Sequence, residues 1–377
     1  MSERHGRIGI SDEQAELLES AAKYCRDKSP VAVARELIED ETGHDPAVFA
    51  EMAELGWLGI AIPEAYGGAG LELAEVVPVV EQMGRCLMAG PFVSTTLAAQ
   101  LLLAAGTEAQ KGEVLPQLAS GAPATLALSE PGGDWDLLQA QCSASREDDR
   151  LVLRGTKSFV LDAHVAKWAI ASVSLDGAPA LVLLDGEALA ACARRRETII
   201  DETRRSFALS LDGVSVPESA LLDGDRAAAA LARIELAGAL LAAAEMVGGG
   251  ASCIDYTVER LNTRKQFGRP IGAYQALKHT TVDAHVRVEQ ARSHLYAAAH
   301  TFEKGEKGEE GEVAVRMAKA TAGPALAFAA DRSIQFHGGY GFTYECDAQL
   351  YRRRALWGES QYGDALYQRR RLAKLIL

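Results

Sequence analysis

The sequence has too few basic residues for one large class of partners. Lys and Arg number 39 against 52 Asp and Glu, which gives a formal net charge of −13. Nucleic-acid binding depends on Lys and Arg replacing the counterions of the phosphate backbone, so an acidic surface repels that partner. Nucleic acid is therefore not an expected partner.

Cysteine is scarce, and the sequence contains no cluster of metal ligands. The six cysteines are Cys25, Cys86, Cys142, Cys192, Cys253 and Cys346. They form no CxxC pair and no His/Cys cluster of the kind that a zinc site needs. Four histidines share one predicted helix, but their spacing does not repeatedly bring two to one face. We expect no metal site, and we expect free thiols in a reducing cytoplasm.

A long hydrophobic run is also missing. The N-terminus is polar and charged, without the basic start and apolar stretch of a signal peptide. The most apolar run, from Leu236 to Val247, contains Glu245 and is shorter than the roughly 20 residues that a bilayer span needs. This run predicts a buried helix. We therefore expect a cytoplasmic protein with no membrane partner.

The periodicity of the sequence changes twice along the chain. Among the 377 residues 48% are hydrophobic and 24% are charged, which is ordinary for a globular protein. Apolar residues recur at spacings of three and four from Asp12 to about Ala105 and again from Ala227 onward, which predicts helices. Residues 123–226 instead contain short β-rich runs separated by turn residues, without the βαβ alternation of a parallel nucleotide-binding sheet.

These patterns predict an α+β fold of three domains. Residues 1–122 form an N-terminal α-helical domain, residues 123–226 a small antiparallel β-barrel or β-sandwich, and residues 227–377 a C-terminal four-helix bundle. The helices of the bundle are predicted at roughly 227–263, 272–303, 311–337 and 347–376.

The first chemical motif lies between the first two helices of the bundle. It reads Arg264-Lys265-Gln266-Phe267-Gly268-Arg269-Pro270-Ile271-Gly272, followed by Tyr274-Gln275. A cation beside a turn suits a phosphate group. An ordinary hinge, in which Gly268 caps the first helix, explains the same residues equally well. Spacing alone leaves both interpretations open.

The second motif follows the third helix of the bundle. It reads Gln335-Phe336-His337-Gly338-Gly339-Tyr340-Gly341-Phe342-Thr343. Backbone N–H groups of glycines can approach an anion without obstruction by a Cβ atom. A tight turn between helices is the simpler alternative, and for His337 packing inside the turn is an alternative to contact with a phosphate.

Together, at this separation and within the α-β-α order, the two motifs resemble the RxxFG and GGxG segments of acyl-CoA dehydrogenases. The resemblance extends to Leu55–Leu71, to the Leu128-Ser129-Glu130-Pro131 segment, to Gly155–Leu161 and to Asp212–Pro217, and so covers essentially the whole chain. It implies an enzyme that binds FAD and an acyl-CoA substrate, passes electrons to electron-transfer flavoprotein, and forms tetramers.

The resemblance also implies which residues contact FAD. The residues expected against the flavin ring and ribityl chain are Leu128, Ser129, Phe159 and Leu161. Those expected against the pyrophosphate and adenosine, largely from a neighbouring subunit, are Arg264, Phe267, Gln275, Gln335, Phe336, His337, Gly338 and Gly339. Asp364 is expected near FAD in place of the family's threonine.

The residue that the family uses as its base is missing from this sequence. A carboxylate removes the α proton of the acyl thioester. In many members it is the glutamate of a YEGT sequence, and that position here holds Tyr362. In others it lies on the first helix of the bundle, at the position of Gly238. Tyrosine, with a pKa of about 10, is a poor base at neutral pH.

Three carboxylates could replace the missing glutamate: Asp364, Glu359 and Glu235. Asp364 follows Tyr362 by two residues, Glu359 precedes it by three, and Glu235 lies one helical turn before Gly238. Each also has a structural interpretation. Asp364 would cap the last helix, and Glu359 and Glu235 would lie on solvated helix faces.

The C-terminal sequence YRRRALWGESQYGDALYQRRRLA resembles short actinobacterial-type acyl-CoA dehydrogenase subunits associated with steroid side-chain degradation. Such subunits often form α2β2 heterotetramers, in which one chain supplies the base. This is the favoured interpretation here. Three alternatives remain: a self-sufficient homotetrameric dehydrogenase with a relocated carboxylate, a flavin-dependent monooxygenase or oxidase on the same fold, and a non-enzymatic assembly subunit without flavin.

Overall fold

The computed structural model describes residues 10–132, 135–304 and 309–377. These residues form two compact units. The first combines the chain up to Glu36 with Leu73–Met88 and Gly238–Leu377, and the second combines Leu37–Glu72 with Ala89–Ala237. Each of these units combines separate stretches of the chain, so they do not test the three consecutive domains inferred from the sequence. Those domain boundaries stay predictions.

The N-terminal part is helical, as the periodicity predicted. Its helices are α1 (Asp12–Lys28), α2 (Val31–Glu36), α3 (Pro46–Glu54), α4 (Leu73–Arg85), α5 (Phe92–Ala105) and α6 (Glu108–Ala119). Capping boxes begin α1 and α6, since Ser11 and Thr107 each accept the N–H of a Gln three residues later, whose side chain bonds back.

In the middle part, the residues that the structure describes form nine strands and one short α-helix. These are β1 (Ala124–Ala127), β2 (Ser143–Glu147), β3 (Arg150–Arg154), β4 (Thr156–Leu161), β5 (Trp168–Leu175), β6 (Ala178–Leu184), α7 (Gly186–Ala191), β7 (Ala193–Glu197), β8 (Ser206–Ser210) and β9 (Ser215–Pro217). One sheet has the order β1-β5-β2-β3-β9, with β6 also beside β5, and a second sheet has the order β4-β8-β7. Inward-facing aliphatic residues such as Leu151, Val160 and Leu209 form a common core.

Two features of this β region differ from the sequence-based expectation. The pairs β1–β5 and β2–β5 are parallel, whereas the remaining ladders are antiparallel. Strand β7 was not predicted at all. Its sequence, ARRRE, is polar, and its first four residues are exposed, so it lacks the alternation that reveals a half-buried strand.

The C-terminal part consists of α8 (Gly224–Thr263), a two-stranded hairpin of β10 (Lys265–Gln266) and β11 (Arg269–Pro270), α9 (Gln275–Lys304), α10 (Glu309–His337), α11 (Asp347–Ser360) and α12 (Ala365–Ile376). The α+β fold class is thereby confirmed. Helix α8 includes a stretch long and apolar enough to cross a bilayer, yet 67% of that stretch is buried within the protein, as in a core helix.

The prediction of one continuous helix over 347–376 was wrong. Residues 361–364 separate α11 from α12, and both Tyr362 and Gly363 have positive φ angles, +52° and +90°. Positive φ is incompatible with a right-handed helix. The break therefore places residue 362, the position of the family's base, in a short connection rather than on a helix.

Candidate active site

In the second unit, the segment Leu128–Glu130 is fixed by the side chain of Lys157. The ammonium of Lys157, which is fully buried, donates to the carbonyl of Leu128 at 3.2 Å, to Glu130 Oε1 at 2.7 Å and to Ser172 Oγ at 3.0 Å. Glu130 also accepts the backbone N–H groups of residues 141 and 142. Burial alone would raise the pKa of Glu130, but these donors lower it overall.

The same segment lies beside β4. The N–H of Ser158 donates to the carbonyl of Ser129 at 2.9 Å, and Thr125 Oγ1 donates to the carbonyl of Leu161 at 2.5 Å. Phe159 remains 42% exposed, although it lies between buried neighbours. The structure thus brings together Leu128, Ser129, Phe159 and Leu161, the four residues expected at the flavin ring. Their contact with flavin stays a prediction.

In the first unit, the RxxFG motif forms a tight hairpin. Phe267 and Gly268 both have positive φ, +51° and +80°, as in a type I′ two-residue turn. The interpretation of Gly268 as a helix cap was wrong, because α8 already ends at Thr263 and the turn joins two short strands. The turn holds the Phe267 side chain 90% exposed.

The glycine motif lies against the arginine of that hairpin. Helix α10 ends at His337, and Gly338 follows with φ +67°. A Cβ atom on Gly338 would lie 3.4 Å from Arg264 Nη1, and one on Gly339 would have no atom within 4 Å. A guanidinium therefore faces a stretch of backbone without side chains, which is the donor set that a phosphate needs.

His337 is packed inside the turn. Its ring stacks on Tyr256 with the centroids 4.5 Å apart, and its Nδ1 lies 2.8 Å from the carbonyl oxygen of Ser333. Burial lowers the pKa of His337, so the ring is neutral near pH 7. Of the neighbouring predicted contacts, Gln335 is exposed, Phe336 is half-buried, and Gln275 is exposed at the start of α9.

Arg260 belongs to the same cluster and was not predicted from the sequence. It precedes Arg264 by one helical turn, and its buried Nε has no hydrogen-bond partner within the described residues. Its charge contributes to lowering the pKa of His337. Like charges one helical turn apart destabilise a helix slightly, and a bound anion would offset that repulsion. The cluster of Arg260, Arg264, Gly338 and Gly339 therefore fits a diphosphate, and we name it the arginine-glycine cluster.

The two positions at which the family carries its base lie side by side in the first unit. A Cβ atom on Gly238 would lie 2.6 Å from Cδ1 of Tyr362 and closer still to Cε1 and Cζ. The tyrosine ring thus fills the space that any side chain at position 238 would need. Burial raises the pKa of Tyr362 to about 12, so its phenol is neutral at pH 7 and cannot remove an α proton.

The connection that carries Tyr362 is held by one side chain from α10 and one from α12. Lys319 of α10 is 1% exposed and donates to the carbonyls of Gly358, Glu359 and Gly363 at 3.0, 3.1 and 2.9 Å. Gln368 of α12 donates to the carbonyl of Tyr362 at 2.5 Å. The hydrogen bonds to these four carbonyls hold the backbone of the connection and offset the unfavourable φ angle of Tyr362.

The three substitute carboxylates lie in different environments. Asp364 caps α12 by accepting the N–H of Tyr367 at 2.7 Å, as its structural interpretation stated. Glu359 is half-buried. Glu235 is only 7% exposed, so the expectation of a solvated helix face was wrong for it. Helical periodicity did not reveal this burial, because α8 is apolar on most of its circumference.

Comparison with known proteins covers nearly the whole chain. Residues 11–122 match the N-terminal domain of acyl-CoA dehydrogenases, and residues 228–377 match the C-terminal domain. The chain is 30% identical to acyl-CoA dehydrogenase IpdE2 of Mycolicibacterium smegmatis over 367 residues, with 96% of this chain and 98% of the relative covered. It is 29% identical to FadE12 of Mycobacterium tuberculosis over 316 residues, or 80% of each chain.

Solved structures agree with these sequence matches. The Tcur3481-Tcur3483 steroid ACAD superposes with a TM-score of 0.86 at 27% identity, over 97% of this chain and 98% of that one. Butyryl-CoA dehydrogenase of Megasphaera elsdenii shares the fold, with a TM-score of 0.88 at 23% identity over 98% and 99% of the two chains.

Proposed function

The chain belongs to the acyl-CoA dehydrogenase family of oxidoreductases, and we propose that it is the subunit without a catalytic base in a heteromeric member of that family. In this proposal an unlike, homologous chain supplies the carboxylate, and the two chains assemble as an α2β2 tetramer. The reaction is α,β-dehydrogenation of an acyl-CoA thioester. A cytoplasmic location and electron-transfer flavoprotein as electron acceptor are part of the same proposal.

The relationship of Gly238 and Tyr362 carries this proposal. Neither of the two positions at which the family carries its base holds a carboxylate here, and the ring of Tyr362 fills the space beside Gly238. A chain that kept its own acyl site would need that space for a carboxylate and the α carbon of the substrate. The intact arginine-glycine cluster supports the proposal that this chain binds the cofactor but does not abstract the proton.

FAD is the cofactor that this chain would help to hold. When bound, FAD supplies the acceptor for the hydride that leaves the β carbon. The arginine-glycine cluster would neutralise the diphosphate, with the hairpin residue Phe267 exposed beside it. In the second unit, the Leu128–Ser129 segment and the exposed face of Phe159 would support the flavin ring.

A steroid side-chain CoA thioester is the proposed substrate class. Support comes from the steroid ACAD that this chain matches at 27% identity over nearly its full length. Because the ring of Tyr362 fills this chain's own base position, the acyl group would be held mainly by the partner chain. Selectivity between steroidal and straight-chain acyl groups would then change with the partner rather than with this subunit.

Co-expression tests the proposal directly. This chain would be produced alone and together with a homologous acyl-CoA dehydrogenase chain that keeps the family's glutamate, and each preparation would be incubated with FAD and desalted. The flavin spectrum would then be followed after adding straight-chain acyl-CoA or steroid-CoA thioesters. We expect only the paired preparation to retain FAD and to bleach with a CoA thioester. Bleaching by the single chain would contradict the assignment as a subunit without a base.

The buried carboxylate of Glu235 favours one second candidate, a self-sufficient homotetramer. Glu235 lies one turn before Gly238 on α8 and is 7% exposed, so it is shielded from water as a catalytic carboxylate often is. Under this alternative the single chain bleaches with substrate, and Glu235→Gln abolishes bleaching without releasing FAD. Unchanged bleaching in that variant would leave Glu359 and Asp364 as the bases to test.

A further inference from the structure

Strand β4 contains an irregularity at the residues expected against the flavin. In the β4–β8 ladder Lys157 pairs with Leu209 and Val160 pairs with Phe207, so the register shifts between them. A bulge of this kind leaves backbone groups of the extra residues without partners in the ladder. Phe159, within the bulge, has φ +56°.

This backbone conformation needs external support. Positive φ is unfavourable for a bulky residue, and it persists only where the surrounding structure imposes it. The neighbouring N–H, that of Ser158, is bound to the carbonyl of Ser129. The N–H of Phe159 instead donates to Glu197 Oε2 at 2.9 Å. A side chain therefore replaces the ladder acceptor that the bulge removed.

Glu197 reaches Phe159 across an intervening strand. It is the last residue of β7 and pairs with Ser206 of β8, which in turn pairs with Leu161 of β4. Directly paired residues project to the same face of an antiparallel sheet, so these three side chains share one face. Ser206 Oγ also donates to Glu197 Oε2, at 2.8 Å, which fixes the carboxylate above β8.

We infer that Glu197 is a positioning residue, whose carboxylate holds Phe159 in its left-handed conformation and so presents the exposed phenyl ring to the flavin. This inference rests on the proposed function, because the flavin is what the ring would contact. The polar edge strand β7 therefore has a structural role that its sequence did not reveal, because it carries the carboxylate that accepts the N–H of Phe159. Without that acceptor the N–H of Phe159 has to find water, and the ring is free to turn away.

Three substitutions of Glu197 separate the effect of its hydrogen bond from the effects of its charge and of its side-chain length. Glu197→Gln keeps an oxygen acceptor at the same distance from the backbone. Glu197→Asp keeps the charge but shortens the side chain by one methylene, so it cannot span β8. Glu197→Ala removes the acceptor. Arg195→Ala is the matched control, since Arg195 is exposed on the same strand, two residues away.

The first readout is amide hydrogen exchange at Phe159, measured by mass spectrometry on the complete assembly without added flavin. We expect exchange to be about tenfold or more faster in Glu197→Ala and Glu197→Asp, because a hydrogen bond to a carboxylate is lost. Glu197→Gln and Arg195→Ala should exchange as the wild type does. Equal exchange in the wild type and Glu197→Ala, or faster exchange in the control, would overturn the inference.

The second readout is the visible absorption and circular dichroism of bound FAD. The variants that expose the Phe159 amide should shift the flavin bands and release FAD faster, whereas Glu197→Gln should restore both. An exposed amide with an unchanged flavin spectrum would also overturn the positioning role. If the wild-type assembly binds no FAD, the proposed function is wrong, while exchange in the same sample still decides whether Glu197 holds Phe159.

Discussion

The ring of Tyr362 lies against Gly238 and occupies the place where the Cβ atom of any other residue at position 238 would lie. Gly238→Ala should therefore destabilise the fold by about 1–3 kcal/mol, because the added methyl overlaps a ring that cannot easily move. Urea denaturation measures the change. The backbone that carries the ring is fixed because the carbonyl of Tyr362 itself accepts from Gln368, and the carbonyls of Glu359 and Gly363 accept from Lys319.

The control for this prediction is the same substitution made in a protein that lacks the tyrosine ring. In Tyr362→Ala the same Gly238→Ala change should be neutral or stabilising, since alanine favours a helix over glycine by about 1 kcal/mol. Gly112→Ala in α6, where no atom lies within 4 Å of the added Cβ, should stabilise in either background. Equal destabilisation by Gly238→Ala in both backgrounds would show that Tyr362 is not the obstacle.

The sequence predicted that the family's base is missing, but it did not predict that the two positions at which the family carries the base are in contact. Comparing positions 238 and 362 with the family was sufficient to find that both glutamates are absent. That the two positions meet depends on how α8 packs against the α11–α12 connection, and side-chain periodicity carries no information on that contact. The break between α11 and α12 was missed for the same reason: bonds from Lys319 and Gln368, distant in sequence from one another, stabilise it.

Lys319 should give the fold a measurable pH dependence. Burial lowers its pKa to about 7, against a weaker opposing attraction from Glu359 and Asp364. The unfolded chain, with an ordinary lysine, binds more protons than the native protein between about pH 7 and 10. Stability should therefore rise with pH across that window, by up to about 1.4 kcal/mol per pH unit from this group.

The variant Lys319→Met isolates that contribution. It should be less stable than the wild type, because the carbonyls of Gly358, Glu359 and Gly363 lose their donor. Its stability should also rise less steeply between pH 7 and 9.5. Urea denaturation at four pH values, with the exposed Lys265→Met as control, measures both effects. Identical slopes in the wild type and Lys319→Met would mean that Lys319 keeps its proton throughout.

The arginine-glycine cluster should bind FAD through both arginines. Arg260→Gln and Arg264→Gln should each weaken FAD binding by about tenfold, because each removes a charge-assisted contact to the diphosphate. Titration of the flavin-free assembly with FAD measures the dissociation constant. Lys265→Gln changes the neighbouring charge on an exposed strand and should have little effect. If Arg260→Gln behaves as Lys265→Gln does, Arg260 is not part of the cofactor site.

The fold was easier to predict than the cofactor site. Long apolar repeats indicated the helices of both terminal parts, since their cores are built from those repeats. Arg260 and Glu197 were missed because their importance depends on neighbours brought in by folding: the glycine turn for Arg260 and the bulge at Phe159 for Glu197. A polar residue on a helix end or an edge strand has no sequence signal of its own.

Tyr362→Glu should return a base to the position from which it is missing. The supporting bonds from Lys319 and Gln368 are to backbone carbonyls, so they do not depend on the side chain at 362. Glutamate is also smaller than tyrosine, so the variant reopens beside Gly238 the space that an acyl group would need in this chain. In an assembly whose partner's own base has been changed to its amide, we expect Tyr362→Glu to restore slow bleaching by acyl-CoA, with a rate that falls as the new carboxylate is protonated at low pH.

Tyr362→Gln, which has the same shape without the charge, should restore none. Equal bleaching by the two variants would show that the carboxylate at 362 does not take the proton, and would place the acyl group away from this connection.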